Sequence, residues 1–389
     1  MMIDTTSGVT KAQGFQAAGV AAGIRKSGKR DLALVVSEGP QYAAAAVFTS
    51  NRFAAAPVAW SRQVVAGGTV RAVILNSGGA NACTGPQGAA DAQAMAEQVG
   101  AELGVSPSQV VVCSTGLIGD CLPMDKVASG ITEAVGQLSE DGGEGAAWAI
   151  LTTDQVIKQA AYTSPSGWSI GGMAKGAGML APALATMLVV ITTDVSLTSA
   201  QADQALRAAT RISFDRADSD GCMSTNDAVV LLANGAYGVV DASEFQAALD
   251  AVCLALTEQL IADAEGAEHA IAITVQGAVS EDEAVTVARA VARSNLFKCA
   301  IAGNDPNWGR VLAAIGTTDA QFDPAKVDVF FNGVGVFLAG APGRPRGEVD
   351  LKPFEVDLVI NLRAGDQSAT LWTNDLTHGY VSENADYSS

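Results

Sequence analysis

The sequence predicts an α+β fold, a layered sandwich of β-sheets and helices. Three observations carry this. Apolar runs bounded by turn residues group in the first third of the chain, helices with one apolar face group later, and neither follows strict strand–helix alternation. No internal repeat or low-complexity tract interrupts the pattern.

Taken in order, residues 32–36, 43–48, 70–75 and 110–113 are short apolar runs that read as strands. Met95, Val99 and Leu103 recur at helical spacing within 86–103, and a second helix is expected over 123–138. Thr198 with Gln201, Asp241 with Glu244 and Ser280 with Glu283 have the spacing of capping boxes, which satisfy orphan N–H groups at helix starts. From Phe245, the residues Leu249, Val252, Cys253, Leu256 and Leu260 trace one apolar helix face that ends near Gly266. Strands are expected at 271–275 and 327–331, and again at 356–362, where Val356, Leu358, Ile360 and Leu362 alternate with residues that can face solvent. The glycine-rich stretches 139–145 and 341–348 read as surface loops.

Composition narrows the functional classes. The 389 residues are 49% hydrophobic, enough to fill a sizeable core. With 23 Lys and Arg against 41 Asp and Glu, the net charge of -18 repels phosphate backbones and anionic lipid, so neither nucleic acid nor a membrane is an expected partner. The six cysteines form no CxxC pair and read as buried thiols of a reducing compartment, and no secretory signal opens the chain, so a cytoplasmic protein is expected. Only His269 and His378 are available, which leaves little material for a Ser-His-Asp mechanism or a histidine metal centre. Gly28-Lys29 is followed by Arg30 and fails as a phosphate loop, the glycines at 171, 172, 176 and 178 do not follow GxGxxG, and the basic residues at 25, 26, 29 and 30 read as a solvated loop.

The segment 175–194, KGAGMLAPALATMLVVITTD, sets Thr186 between a stretch broken by Gly176, Gly178 and Pro182 and the apolar run 187–191. Three readings fit it. Residues 176–193 carry no charge and reach the length of about 18 needed for a membrane span, although the glycines and proline oppose one. Thr186 can be simply a β-branched residue at the start of a core strand. Alternatively, if the bond before Thr186 breaks, its own α-amine, which ordinarily titrates at about 7.7 to 8.0, can take the hydroxyl proton near neutral pH and activate it as a nucleophile.

Several motifs together resemble one family. AKGAGMLAPALATML around Thr186, CSTGLIG from Cys113, LTTD from Leu151, DAEGA from Asp263, GNDPNWGRVLAAIG from Gly303 and the closing ENADYSS from Glu383 are similar to the ornithine acetyltransferases (glutamate N-acetyltransferases) of arginine biosynthesis. The match runs over essentially the whole chain.

The resemblance implies an N-terminal-nucleophile fold and autoproteolysis between Ala185 and Thr186, giving an α chain of 1–185 and a β chain of 186–389 that fold together and assemble as a heterotetramer of two each. It implies Thr186 as nucleophile, Thr115 and Gly116 as the oxyanion hole, and Thr152, Lys175, Glu265, Asn384 and Ser389 as substrate contacts. The implied reaction moves acetyl from N2-acetylornithine to glutamate with no cofactor and no metal, and acetyl-CoA stays open as a second donor. The residue types suit that chemistry: Lys175 can neutralise a substrate α-carboxylate and Glu265 can pair with a side-chain ammonium. Departures occur at Glu268-His269, where the family has a small hydroxyl residue and a lysine, and at Ala183-Leu184, where Asn-Met is commoner. The competing expectations are an amidase or aminopeptidase with the same nucleophile and an uncleaved, non-catalytic homologue.

Overall fold

The computed structural model describes residues 1–179 and 187–386. In chain order the first compact unit, Met1–Asp215 with Cys222–Leu260, contains β1 (Phe15–Val20), β2 (Leu32–Ser37), β3 (Ala43–Phe48), α1 (Ala56–Ala66), β4 (Ala72–Asn76), α2 (Gly85–Leu103), β5 (Val110–Ser114), α3 (Met124–Gly136), α4 (Gly143–Ala149), β6 (Lys158–Thr163), β7 (Ser169–Lys175), β8 (Leu188–Val195), α5 (Ser199–Ile212) and β9 (Ala228–Gly238), and it takes in nearly all of α6 (Ala242–Ala262).

Two mixed sheets form its centre, one in the order β1-β2-β4-β5 and the other in the order β3-β9-β8-β7-β6. Between them Phe15, Val35, Val73 and Val111 of the first sheet share a core with Met173, Leu188, Val190 and Val230 of the second. The first sheet's outer face packs Leu34, Ile74 and Val112 against Met95 and Val99 of α2 and Val127 and Ile131 of α3. The second sheet's outer face packs Val189 and Ile191 against Leu206 of α5 and Leu249, Val252 and Leu256 of α6. The result is four layers, helix–sheet–sheet–helix. Both sheets are covered on both faces, which is why β2, β4 and β8 read as unbroken apolar runs instead of alternating ones. The expected layered α+β sandwich is what forms.

The second unit, Arg216–Gly221 with the chain from Ile261 onward, contains β10 (Ala270–Ala278), α7 (Glu281–Ala292), α8 (Asn295–Ala302), α9 (Trp308–Ile315), β11 (Asp328–Phe331), β12 (Val334–Leu338), β13 (Ala341–Pro342), β14 (Glu355–Asn361), β15 (Gln367–Asn374) and α10 (His378–Asp386). Its sheet runs β13-β12-β11-β14-β10-β15, and Ile271, Ile273, Leu358 and Ile360 on one face pack against Val287 and Val291 of α7, Phe297 of α8 and Val311 of α9. On β14, Val356, Leu358 and Ile360 are buried while Glu355 and Asp357 are exposed, as the alternation requires.

Several expectations need correction. The run that follows Thr186 is the buried strand β8, not part of a membrane helix, because its backbone is paired to β7 on one side and β9 on the other. Helix α6 does have the length and mean hydropathy to cross a bilayer, but its Phe245, Leu249, Val252 and Leu256 face is spent in the core. Residues 139–145 are only partly a loop: α4 starts at Gly143, and a Cβ on Gly142 would overlap the Ala17 carbonyl of β1. Of the cysteines, Cys113 and Cys253 are buried, whereas Cys83, Cys121, Cys222 and Cys299 are exposed. Thr198 and Gln201 make both halves of their capping box. At Ser280 the reciprocal half is replaced, since the Glu283 carboxylate accepts the Gln321 N–H at 3.0 Å instead.

Candidate active site

Lys175, the last residue of β7, is only 1% exposed and so is not a surface charge. Its ammonium donates to Thr152 Oγ1 at 2.8 Å and to Thr115 Oγ1 at 3.4 Å, and it lies 3.7 Å from Asp154 Oδ2. Three residues expected in the site are thus gathered around one buried cation. A buried ammonium needs a counter-charge, and Asp154 supplies it.

The Asp154 side chain is fully buried and acts as a hub. Oδ1 accepts from Lys158 Nζ at 2.7 Å and from the Gly176 N–H at 2.6 Å, while Oδ2 accepts from the Thr152 N–H at 3.1 Å. Burial pushes this carboxyl up, but Lys175, Lys158 and the Gly176 N–H outweigh it and hold it well below the ordinary carboxylate range. One carboxylate therefore fixes Thr152, the end of β7 and the first residue of the segment toward Thr186. Neither Asp154 nor Lys158 is among the residues expected in the site.

Thr115 follows β5 directly and is fully buried. Its N–H donates to the Asn76 carbonyl at 2.9 Å, and its own carbonyl accepts the Gly79 N–H at 3.1 Å. Gly116 has a φ of +134°, and a Cβ there would lie 2.7 Å from the Gly79 nitrogen, so only glycine fits. Among the described residues, the Gly116 N–H donates to no acceptor. The turn is braced from below by Asn226, whose Nδ2 donates to the Ala80 and Ser114 carbonyls at 2.6 and 2.8 Å, and by Ser114 Oγ donating to Asn76 Oδ1 at 2.5 Å.

Arg25, read from the sequence as part of a solvated basic cluster, donates to the Leu151 carbonyl at 2.7 Å and to the Thr152 carbonyl at 3.3 Å. It holds the strand-to-site connection in place. At the start of β8, the Met187 N–H donates to Oδ1 of the fully buried Asp227 at 3.0 Å. Ala185, Thr186 and Ser389 lie outside the described residues.

In the second unit, Glu265 sits in the turn after α6, partly buried, and its Oε2 accepts from Asn384 Nδ2 of α10 at 2.9 Å. The same Nδ2 donates to the Tyr380 carbonyl at 3.0 Å. Burial and the neighbouring Glu265 charge raise the Glu383 carboxyl at this end of α10. His269 is buried with both ring nitrogens engaged, Nδ1 with Asp375 at 2.7 Å and Nε2 with the Leu351 carbonyl at 2.9 Å. The departure from the family pattern at this position is thereby absorbed in structural bonding.

Among these residues, Asp154, Asp227, Asn226 and Arg25 escaped sequence reasoning. The one available sign was polarity in the wrong place: Thr225-Asn226-Asp227 stands immediately before the apolar run of β9, and Asp154 closes the LTTD motif.

Residues 16–389 match the ArgJ family. The arginine biosynthesis bifunctional protein ArgJ of Streptomyces coelicolor is 60% identical over 382 residues, spanning 98% of this chain and 100% of that protein. The protein of the same name from Thermobifida fusca is 59% identical over 382 residues, with 98% and 100% covered. A solved structure of ornithine acetyltransferase complexed with ornithine, from Mycobacterium tuberculosis, is 57% identical and covers 46% of this chain and 97% of that one, with a TM-score of 0.46. This chain belongs to the ArgJ family.

Proposed function

We propose that this chain is the acetyltransferase of arginine biosynthesis that moves acetyl from N2-acetylornithine to glutamate through an acetyl-threonine on Thr186. The observation that carries the reading is the buried Lys175 ammonium gathered with Thr115 and Thr152 at the end of β7, the strand that leads toward residue 186.

The active species forms by scission. Thr186 Oγ attacks the Ala185 carbonyl, the acyl group passes from nitrogen to oxygen, and the hydroxyl proton passes to the nitrogen. Water then hydrolyses the ester, leaving an Ala185 carboxylate, a free Thr186 α-amine and the restored hydroxyl. The α chain 1–185 and β chain 186–389 stay together because β7 and β8, on either side of the break, are neighbours in one hydrogen-bonded ladder.

In turnover the α-amine takes the Oγ proton as Oγ attacks the acetyl carbonyl. The oxyanion accepts hydrogen bonds from the Gly116 N–H and the Thr115 hydroxyl, and losing one such donor costs roughly 2.7 to 4 kcal/mol of barrier. Collapse expels ornithine, whose nitrogen takes the proton from the Thr186 amine. Glutamate then attacks the acetyl ester with its amine and leaves as N-acetylglutamate. We assign the substrate contacts to Thr152, Lys175, Glu265, Asn384 and Ser389, as the family resemblance implies: Lys175 suits a substrate α-carboxylate and Glu265 a side-chain ammonium. The cycle needs no cofactor. Acetyl-CoA serves as a second donor in the bifunctional form of the reaction. The processed chains assemble as a cytoplasmic heterotetramer of two α and two β chains.

Denaturing mass spectrometry of purified protein tests the scission: two masses meeting at 185/186 are expected, and Thr186→Ala should give one full-length, inactive chain. A donor and acceptor panel tests the chemistry. Acetyl appearing on glutamate without net hydrolysis supports the transferase, whereas acetate alone would identify an amidase.

A further inference from the structure

Lys298, on α8, is a buried cation that this mechanism leaves without a role. It is 4% exposed, and its ammonium donates to the Ser219 carbonyl and to Thr373 Oγ1, the latter at 3.2 Å. Both partners are neutral. Among the described residues no carboxylate lies within ion-pair distance of it, and its third N–H has no acceptor. Lys158 and Lys175, by contrast, share Asp154 as the counter-charge that a buried ammonium requires.

Two acids near Lys298 are bound to other donors. Asp218 accepts from Arg293 Nε at 2.7 Å and from the Gly221 N–H at 3.1 Å. Asp375 accepts the Glu268 and His269 N–H groups on Oδ1, and its Oδ2 meets His269 Nδ1 at 2.7 Å. Together with Asp220 and Cys299 they favour the charged lysine through space, but burial outweighs them and lowers the amine to about 8.

Lys298 lines a cavity of about 230 Å³ built wholly from the second unit, whose wall also includes Asp220, Arg293, Asn295, Asn374 and Tyr380. Pockets for drug-sized ligands run to about 300–1,000 Å³, so this one suits a smaller molecule. Neither Glu265 nor Asn384 lines it, so it is separate from the substrate contacts assigned above. A phosphate dianion would face the charge of Asp220 and Asp375 in the same wall. A carboxylate carries a single charge and supplies the acceptor that Lys298 lacks.

We infer that this cavity is a binding site for the carboxylate of a small molecule, held by the third N–H of Lys298 with Arg293 and Asn295 beside it. The inference does not depend on the chemistry at Thr186.

Cyanate carbamoylates the neutral amine, so its rate at Lys298 reports the ligand. Purified wild-type protein is treated at pH 8 in chloride, acetate, glycine or phosphate, and peptide mass spectrometry follows Lys298 with the exposed Lys26 and Lys352 as internal references. A carboxylate that raises the amine from about 8 to about 9 cuts its neutral fraction from about a half to about a tenth, so Lys298 should slow about fivefold against the references. Slowing in acetate, with or without glycine, identifies a simple carboxylate as ligand, and slowing in glycine alone identifies an amino acid. Unchanged rates, slowing in phosphate alone, or equal slowing of the references overturns the inference. If Lys298 does not react even in chloride, crystals of the wild-type protein soaked in acetate or glycine decide. A carboxylate oxygen within about 3.2 Å of Nζ is then expected, and an empty cavity refutes the site.

Discussion

Asp154 and Asp227 are both sealed from solvent in the same four-layered unit, and their surroundings shift their carboxyls in opposite directions. Asp154 has two ammonium groups and two backbone N–H donors on its oxygens and stays ionised against the pull of burial. Asp227 accepts one backbone N–H, from Met187, and burial dominates over its neutral donors and Lys175, so its carboxyl is pushed well above the ordinary range. Burial alone therefore says little about a carboxyl; the count and charge of its donors decide. The first is built as a fixed counter-ion for Lys158 and Lys175, and the second braces the backbone of Met187 at the start of β8.

The sharpest test of this contrast is Asp154→Asn, which removes the carboxylate that Lys158 and Lys175 share. Breaking a buried pair from one side costs roughly 3 to 5 kcal/mol, so chemical denaturation at pH 7 should register a loss of that size. A loss below about 1 kcal/mol would mean the two acids are not different in kind. Next in size is Gly116→Ala, where a positive φ and the close Gly79 nitrogen impose strain of roughly 1 to 3 kcal/mol. Here kcat should fall along with the melting temperature, which separates the turn from the Lys175 network. Thr198→Ala breaks an exposed capping box far from either acid in sequence and should cost about 1 kcal/mol with activity unchanged. It calibrates an ordinary hydrogen-bonded cap in the same unit.

The smallest expected change at low pH is Asp227→Asn, which mimics the protonated acid and should alter stability by less than about 1 kcal/mol near pH 5. Its effect lies in the slope. A carboxyl whose pKa is raised on folding stabilises the fold while protonated, and that contribution is lost as pH climbs from about 3.9 through the raised value. Wild-type protein should lose this increment over that window and the variant should not, as unfolding at a series of pH values will read. Asp154 has the reverse sign: its contribution is present above about 3.9 and is lost only as pH falls through its depressed value.

The strands and helices carried by composition were legible. Residues 43–48, the helix faces of α2 and α6 and the alternation of β14 followed from apolar spacing. β6 and β7 were not, because KQAAYT and SIGGMAK are rich in Ala and Gly and carry little intrinsic strand preference. They are strands because β8 lies beside β7 and holds it in a ladder, a contact between segments that the sequence cannot display. In the site, Thr115, Gly116, Thr152 and Lys175 were named through motif resemblance, and the structure brings Thr115, Thr152 and Lys175 to one point. Asp154, Asp227, Asn226 and Arg25 were silent, since each makes bonds to backbone groups 22 to 146 positions away, beside the local Thr152 bond of Asp154.

By itself the sequence determined the layered α+β class and the family, because periodicity and motif are local properties that survive in one dimension. Tertiary structure alone decided their electrical state. Whether Lys175 is a surface charge or a sealed cation, and which way a buried aspartate's pKa shifts, depends on which donors distant segments deliver within about 4 Å, where a charge in low dielectric is felt most strongly.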